Sequence, residues 1–175
     1  MKSLHLIKRV SSLFVLLLVV SACSKEDPLL DDIDGSYSLD ISGDVTESWE
    51  GDANYLQIIK STGTDEEKGT ILTITLTQDD ENSVVIQLIK LETASFSEGT
   101  YQFIEDPSDN DVGLLITMYH AGSVIAYFPT SGQVQLSKIK DTMVEGSFSV
   151  DMINGLENSV SVSGTFKARG LTQNI

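Results

Sequence analysis

The sequence predicts an all-β fold, a single antiparallel β-sandwich or barrel of about ten strands that follows an N-terminal signal segment. After Gly35, apolar and polar residues alternate with the period of a half-buried strand along most of the chain. Polar or glycine-rich breaks recur at intervals of roughly 8 to 15 residues, with no helical period of useful length between them. This spacing favours antiparallel sheets over a parallel α/β sheet.

The residues before Cys23 have the order of an export signal. Lys2, Lys8 and Arg9 precede an apolar run at residues 13–20, and small residues then lead to Cys23. The run contains only about 10 apolar residues, whereas a helix needs roughly 20 to cross a bilayer. We therefore interpret residues 1–22 as a cleaved signal peptide and not as a membrane span.

The end of this segment reads Val20-Ser21-Ala22-Cys23 and resembles the lipobox of bacterial lipoproteins. The resemblance implies that Cys23 carries the lipid, in the form of a diacylglycerol and fatty acids such as palmitate. It also implies a lipid-anchored protein of the cell envelope, on the outer membrane. The following Ser24-Lys25-Glu26-Asp27 resembles a signal found in surface-exposed lipoproteins of Bacteroidetes, and a solvated acidic linker is the alternative interpretation.

Residues 23–34 are acidic, contain a proline and show no sustained period, so we expect an acylated cysteine followed by a flexible tether. Residues 35–175 then form one antiparallel β domain.

All 26 acidic residues lie after Cys23, whereas three of the eleven basic residues lie before it. Because nucleic acids are also negatively charged, we expect this acidic chain not to bind them. We expect the chain to be attached to the bilayer through its acyl chains. With Cys23 as the only cysteine, no disulfide or thiol nucleophile is expected.

Ten candidate strands follow Gly35. Residues 70–77 alternate cleanly between leucine or isoleucine and threonine, which indicates one buried and one wet face. Residues 83–91 are apolar in both phases, so this strand is expected mid-sheet and covered on both sides. Asn154-Gly155 predicts a hairpin turn longer than two residues between the last two strands. The candidates span residues 36–42, 54–60, 70–77, 83–91, 100–104, 113–120, 123–128, 133–139, 144–152 and 160–168.

The last third of the chain carries a further resemblance. The strand patterns at residues 132–139, 144–150 and 160–166 are similar to the C-terminal part of uncharacterised Bacteroidetes lipoproteins of the DUF6252 type. That resemblance implies an all-β domain without an assigned activity. It implies no site residues, because the shared pattern is one of strands.

Candidate binding residues are few. Trp49 is the only tryptophan and lies near Tyr55, so both are possible contacts for a sugar or a protein, with residues 43–53 as the expected binding loop. Capping the end of a β core is the alternative role for Trp49. His120 is the only histidine after Cys23, and we expect a structural or surface residue there and not a general base. Residues 105–111 concentrate oxygen ligands, where a solvated turn is favoured over a calcium site.

These observations predict a lipid-anchored module that is not an enzyme and uses no metal or cofactor. We expect a binding or structural role, with loops that contact a protein or a glycan. The first alternative is a lipocalin-like barrel that carries a small apolar ligand, provided that the interior is not filled by Ile74, Leu88, Phe148 and Phe166. A hydrolase based on paired carboxylates is the less favoured alternative.

Overall fold

The computed structural model describes residues 34–60, 68–106, 108, 111–121 and 125–171. Two compact units make up the chain, Met1–Ile33 and Asp34–Ile175, and every described residue belongs to the second. The predicted signal peptide, Cys23 and the tether up to residue 33 therefore lie outside the described residues. The described residues form strands, turns and bends, with no helix among them.

Nine strands make up the domain. They are β1 (Ser36–Gly43), β2 (Glu47–Lys60), β3 (Gly69–Thr77), β4 (Ser83–Lys90), β5 (Gly99–Gln102), β6 (Gly113–His120), β7 (Ile125–Lys140), β8 (Met143–Asn154) and β9 (Ser159–Gly170). All of them belong to a single sheet in the order β5-β7-β6-β4-β3-β2-β1-β9-β8, and β7 pairs in addition with β8. The pairing of β7 with β8 closes β1–β4 and β6–β9 into an eight-stranded antiparallel barrel. The sequence predicted a sandwich or a barrel, and the structure is the barrel.

The strand β5 is the ninth strand and lies outside the closed ring. β6 pairs with β7 only over Met118–His120, and β5 takes the same edge of β7 further along, from Gln133 to Leu136. The same edge of β7 thus has β6 as its neighbour at the start of the strand and β5 further along. A short parallel contact of Asn54 and Tyr55 with the end of β9 continues the closure past the start of β1.

The barrel interior is filled by side chains. Alternate residues of the ring strands point inward, and the predicted core residues Ile74, Leu88, Phe148 and Phe166 are all buried. The largest fully buried side chains come from six strands: Trp49, Tyr127, Leu39, Ile41, Leu72, Ile74, Leu76, Ile86, Leu88, Ile116, Met118 and Leu136. Burial of this apolar surface is the main stabilising contribution in a domain without disulfides.

Two predicted strands are one strand in the structure. The sequence predicted separate strands at residues 123–128 and 133–139, yet β7 continues through both, across Pro129 and Gly132. A register shift against β8 lies between Pro129 and Ser131, and Gly132 has a φ of +132°. A bulge accommodates a proline that cannot donate to the ladder, so the turn-forming residues here bend the strand without ending it.

The prediction of a binding loop at residues 43–53 is wrong. The loop is only the three residues between Gly43 and Glu47, and the rest of the segment is the first half of β2. Glu47 to Gly51 pair with β1, whereas Asp52 to Lys60 pair with β3. β2 is long because it passes from one neighbour to the other, and its exposed Ser48, Glu50 and Asp52 alternate with the inward phase of Trp49 and Ala53.

The barrel has two distinct ends. The turns β1–β2, β3–β4, β6–β7 and β8–β9 lie at the end that we call the far end. The opposite end, the near end, holds the end of β2 at Lys60, the β7–β8 turn and the end of β9 at Gly170. The predicted hairpin turn at the far end is confirmed as longer than two residues, and Asn154 Oδ1 accepts bonds from the amides of Leu156 and Asn158.

The strand β4 lies mid-sheet between β3 and β6, as its sequence predicted. Its inward phase of Val84, Ile86 and Leu88 is fully buried. The predicted cover on its other side is wrong for the described residues, because the outward Ile89 stays partly exposed. An apolar outer face thus has no cover within the described part of the chain.

Candidate functional site

Trp49 lies inside the barrel at the far end. Its side chain is only 1% exposed, and its indole Nε1 donates a hydrogen bond of 2.7 Å to Glu47 Oε2. The ring stacks on His120 across the barrel, with centroids 5.9 Å apart and planes 7° from parallel. This placement matches the role of a residue that caps the core, and the indole ring offers no face to a partner in solution.

Glu47, Trp49 and His120 form one polar cluster at this end. His120 Nε2 lies 3.3 Å from Glu47 Oε1, so the carboxylate contacts both rings. The hydrogen bond from Trp49, with a smaller contribution from His120, holds the pKa of Glu47 below its usual range. A carboxylate that stays ionised is a poor general acid near neutral pH, and the cluster is suited to fixing two aromatic rings.

Tyr55 lies at the near end of the barrel, far from Trp49 along β2. Its hydroxyl is 2.9 Å from the carbonyl oxygen of Asp141 and 3.1 Å from that of Lys140, and it donates its single proton to one of them at a time. Partial burial, followed by the charge of Asp141, raises the pKa of the Tyr55 hydroxyl. The structure does not bring the two predicted binding residues together, and Tyr55 joins β2 to the β7–β8 turn.

The oxygen-rich loop at residues 105–111 lies between β5 and β6 and is described only in part. Asp111 Oδ2 accepts hydrogen bonds from the amide and the hydroxyl of Ser108, at 2.9 and 2.7 Å. These bonds lower the pKa of Asp111. Across the described ranges of the chain, no three His, Cys, Asp or Glu side chains are arranged to hold a metal ion.

A cavity of about 330 Å³ opens on the outer surface at the far end, between β1, β7, β8 and β9. Asp151 lies in its lining, where Ser161 Oγ donates to Oδ1 at 2.6 Å and Ser131 Oγ donates to Oδ2 at 2.8 Å. The Ser161 bond first, and the Ser131 bond second, lower the pKa of Asp151. The cavity therefore holds a fixed carboxylate that stays negatively charged near neutral pH.

Three exposed apolar side chains lie beside this cavity and at the adjoining turn. Ile153 lines the cavity and lies opposite Phe128 in the β7–β8 register, and Leu156 follows in the next turn. They are 39%, 50% and 73% exposed, respectively. The sequence contains a signal for one of them, because Ile153 interrupts the outward phase Glu145, Ser147, Ser149 and Asp151 of β8. Together with Asp151, these residues form what we call the far-end surface.

Charge is segregated along the barrel. The far-end half of the described strands and turns contains ten acidic residues and no Lys or Arg: Asp40, Asp44, Glu47, Glu50, Asp52, Asp79, Asp80, Glu81, Asp151 and Glu157. The near-end half contains all seven basic residues of the described domain: Lys60, Lys68, Lys90, Lys138, Lys140, Lys167 and Arg169. Eight acidic residues accompany them: Asp34, Glu92, Glu98, Glu105, Asp106, Asp111, Asp141 and Glu145. Among the described residues, every basic side chain therefore lies in the near-end half, and the far-end half is strongly anionic.

The near-end mouth of the barrel is closed by the segment between β4 and β5. Phe96 is buried in the core and packs edge-on against Tyr101, with the Lys90 ammonium 4.9 Å from its ring centre. Lys90 also donates to the carbonyl of Ser95 at 3.0 Å, and Thr70 Oγ1 donates to the carbonyl of Glu92 at 2.9 Å. A second cavity, of about 570 Å³, is lined by residues of β1, β2, β7, β8 and β9.

The described residues include no helix with the length and apolarity needed to span a membrane. Comparisons of the chain with protein-family models, with curated proteins and with solved structures found no match. The resemblance of the C-terminal strands to uncharacterised Bacteroidetes lipoproteins, and the lipobox at Cys23, therefore stay predictions.

Proposed function

We propose that this chain is a lipid-anchored lipoprotein of the cell envelope whose barrel is a non-enzymatic binding module. Cys23 carries the acyl chains, and the far-end surface contacts a protein partner with a basic patch. One observation carries the choice of surface: Phe128, Ile153 and Leu156 are exposed around a cavity that holds an ionised Asp151. Apolar side chains of this size exposed next to one another are typical of protein contact sites.

The charge of the far end supports a cationic partner. An Arg or Lys side chain that enters the cavity can bond to Asp151, and the surrounding acidic residues favour its approach. Aromatic stacking on a sugar receives less support, because the only tryptophan is buried. We therefore favour a protein over a glycan as the partner.

Site-specific cross-linking in whole cells tests this role. A photoreactive residue replaces Leu156 in the full chain, and the control carries it at Leu115, which is exposed in the near-end half. We expect a discrete cross-linked protein of defined mass from position 156 alone, and its loss when Phe128→Ser is added. Identical products from both positions, or none from position 156, would contradict a far-end protein contact.

Carriage of a small apolar ligand is the second candidate, and one observation favours it. Phe96 occupies the near-end mouth on a segment whose other described residues are exposed, so its departure would open the interior of an eight-stranded barrel. The carrier hypothesis predicts that a fluorescent fatty acid binds the wild-type chain and binds more tightly to Phe96→Ala. If neither protein enhances the fluorescence of the fatty acid, the carrier hypothesis is excluded.

A further inference from the structure

We propose that Glu47, Trp49 and His120 form a pH-sensitive clamp, in which protonation of the imidazole strengthens both of its contacts across the far end of the barrel. The clamp joins strands that are not neighbours, because β3 and β4 lie between β2, which bears Glu47 and Trp49, and β6, which ends at His120. It depends neither on the lipid anchor nor on a partner at the far-end surface. The geometry of the two contacts and the charges around them support it.

Both contacts of the His120 ring change with its charge. Nε2 lies 3.3 Å from Glu47 Oε1, and the ring stacks on Trp49 with centroids 5.9 Å apart. A neutral imidazole that carries its proton on Nε2 donates an ordinary hydrogen bond to the carboxylate and stacks as an uncharged ring. A protonated imidazole makes a charge-assisted ion pair instead, and its charge lies within the roughly 6 Å over which a cation is attracted to an indole face.

Glu47 is held in the ionised form that the clamp requires. Trp49 Nε1 donates a 2.7 Å hydrogen bond to Oε2, so one carboxylate oxygen is fixed by the indole and the other faces His120. The indole bond first, and His120 second, keep the pKa of Glu47 below its usual range. Between about pH 5 and pH 8, the interval in which imidazoles commonly change charge, the carboxylate therefore stays negative. Of the three groups, only the imidazole changes charge there.

The other charges near His120 also favour its protonated form. On the adjoining strands, Ile125 of β7 lies opposite His120, and Ser83 of β4 lies opposite Tyr119, so neither neighbour brings a charge. Residues 121–124, which connect β6 to β7, contain no ionisable side chain. The remaining turns of this end contribute acidic residues and no Lys or Arg: Asp44, Asp79, Asp80, Glu81 and Glu157. The imidazole is 23% exposed, so protons from solvent reach it.

Tryptophan fluorescence of the purified full chain tests the clamp, because Trp49 is the only tryptophan. A protonated imidazole stacked on an indole quenches its emission. On titration from pH 8 to pH 5, we expect the emission to fall at least about 1.5-fold. The wavelength of maximum emission should stay constant, because the ring remains buried under His120. In Glu47→Gln, which removes the negative charge, the midpoint of the change should move to lower pH.

The variant His120→Gln is the control, since its side chain does not titrate and its emission should be the same at both ends of the range. Constant emission in the wild type, or an equal fall in His120→Gln, would overturn the clamp. A shift of the wild-type emission to longer wavelength in acid would overturn it as well, because the contacts would then open on protonation. Circular dichroism verifies that each variant is folded. Should His120→Gln not fold, equal midpoints in the wild type and Glu47→Gln would overturn the clamp.

Discussion

Replacing Tyr37 by phenylalanine should stabilise the protein, although the residue is part of the core. Tyr37 is 5% exposed, and its hydroxyl has no hydrogen-bond partner among the described residues. A buried polar group without a partner costs about 1–3 kcal/mol relative to water, and Tyr37→Phe removes that cost without opening a cavity. We expect a gain of about 1 kcal/mol at pH 7, equivalent to an increase in Tm of about 2–5 °C for a domain of this size.

The gain should increase in alkali. Desolvation first, and then the charges of Asp79 and Asp52, raise the pKa of Tyr37 to about 12. The unfolded chain ionises this hydroxyl near pH 10, so the wild type keeps its full stability below that pH and loses part of it as the pH rises toward 12. At pH 11 the loss attributable to Tyr37 is about 1.3 kcal/mol. Tyr37→Phe lacks this loss, and its advantage over the wild type should roughly double.

Urea unfolding followed by circular dichroism at pH 7 and pH 11 measures both effects. Tyr101→Phe is the matched control, because the Tyr101 hydroxyl donates a 2.7 Å hydrogen bond to the carbonyl of Ser97. Loss of that bond should cost about 0.5–1.5 kcal/mol, with the opposite sign to Tyr37→Phe. If Tyr37→Phe destabilises the protein at pH 7 by more than 1 kcal/mol, the hydroxyl has a partner and the reasoning fails.

Three further predictions concern packing and charge. Gly164→Ala should cost about 1–3 kcal/mol, because its Cβ would lie 2.5 Å from a backbone oxygen of β1, whereas Gly155→Ala meets nothing within 4 Å and should change the unfolding free energy little. In urea unfolding, Phe148→Ala should lower the free energy of unfolding by about 3–5 kcal/mol, and the same change at the exposed Phe128 by less than about 0.5 kcal/mol. A similar loss in both variants would contradict this. Because the pKa of Glu47 is lowered in the folded protein, its carboxylate stabilises the fold at every pH above the ordinary carboxyl pKa. This stabilisation is lost as the pH falls through the lowered pKa. Thermal scans from pH 6 to pH 3 should therefore show a steeper loss for the wild type than for Glu47→Gln, and parallel profiles would contradict this.

The sequence predicted most of the strands because their inward and outward phases are chemically distinct. The range of β6 was predicted to the residue, and β3 and β9 to within two residues at each end. The first half of β2 was missed because Gly51 and Ala53 are small inward residues, so its apolar phase is weak. Pairing with β1, which is a long-range property, makes that segment a strand.

The candidate site was harder to predict than the fold. Trp49 and Tyr55 were chosen for their chemistry, yet each one reaches across the barrel to a distant element, His120 for one and the β7–β8 turn for the other. Such contacts depend on strand register, which a single sequence does not contain. The sequence pattern predicts that Ile153 is exposed, because it is an apolar residue in the polar phase of β8. The exposure of its neighbour Phe128 follows only from the structure, in which β7 continues through Pro129 and pairs with β8.

The intact mass of the protein purified from bacterial membranes tests the lipid anchor most directly. Our account predicts a mature chain that begins at Cys23 and carries the added mass of a diacylglycerol, with a further acyl chain on its amino group. A chain that retains residues 1–22, or one that shows an unmodified thiol at Cys23, would contradict the proposed lipid anchor.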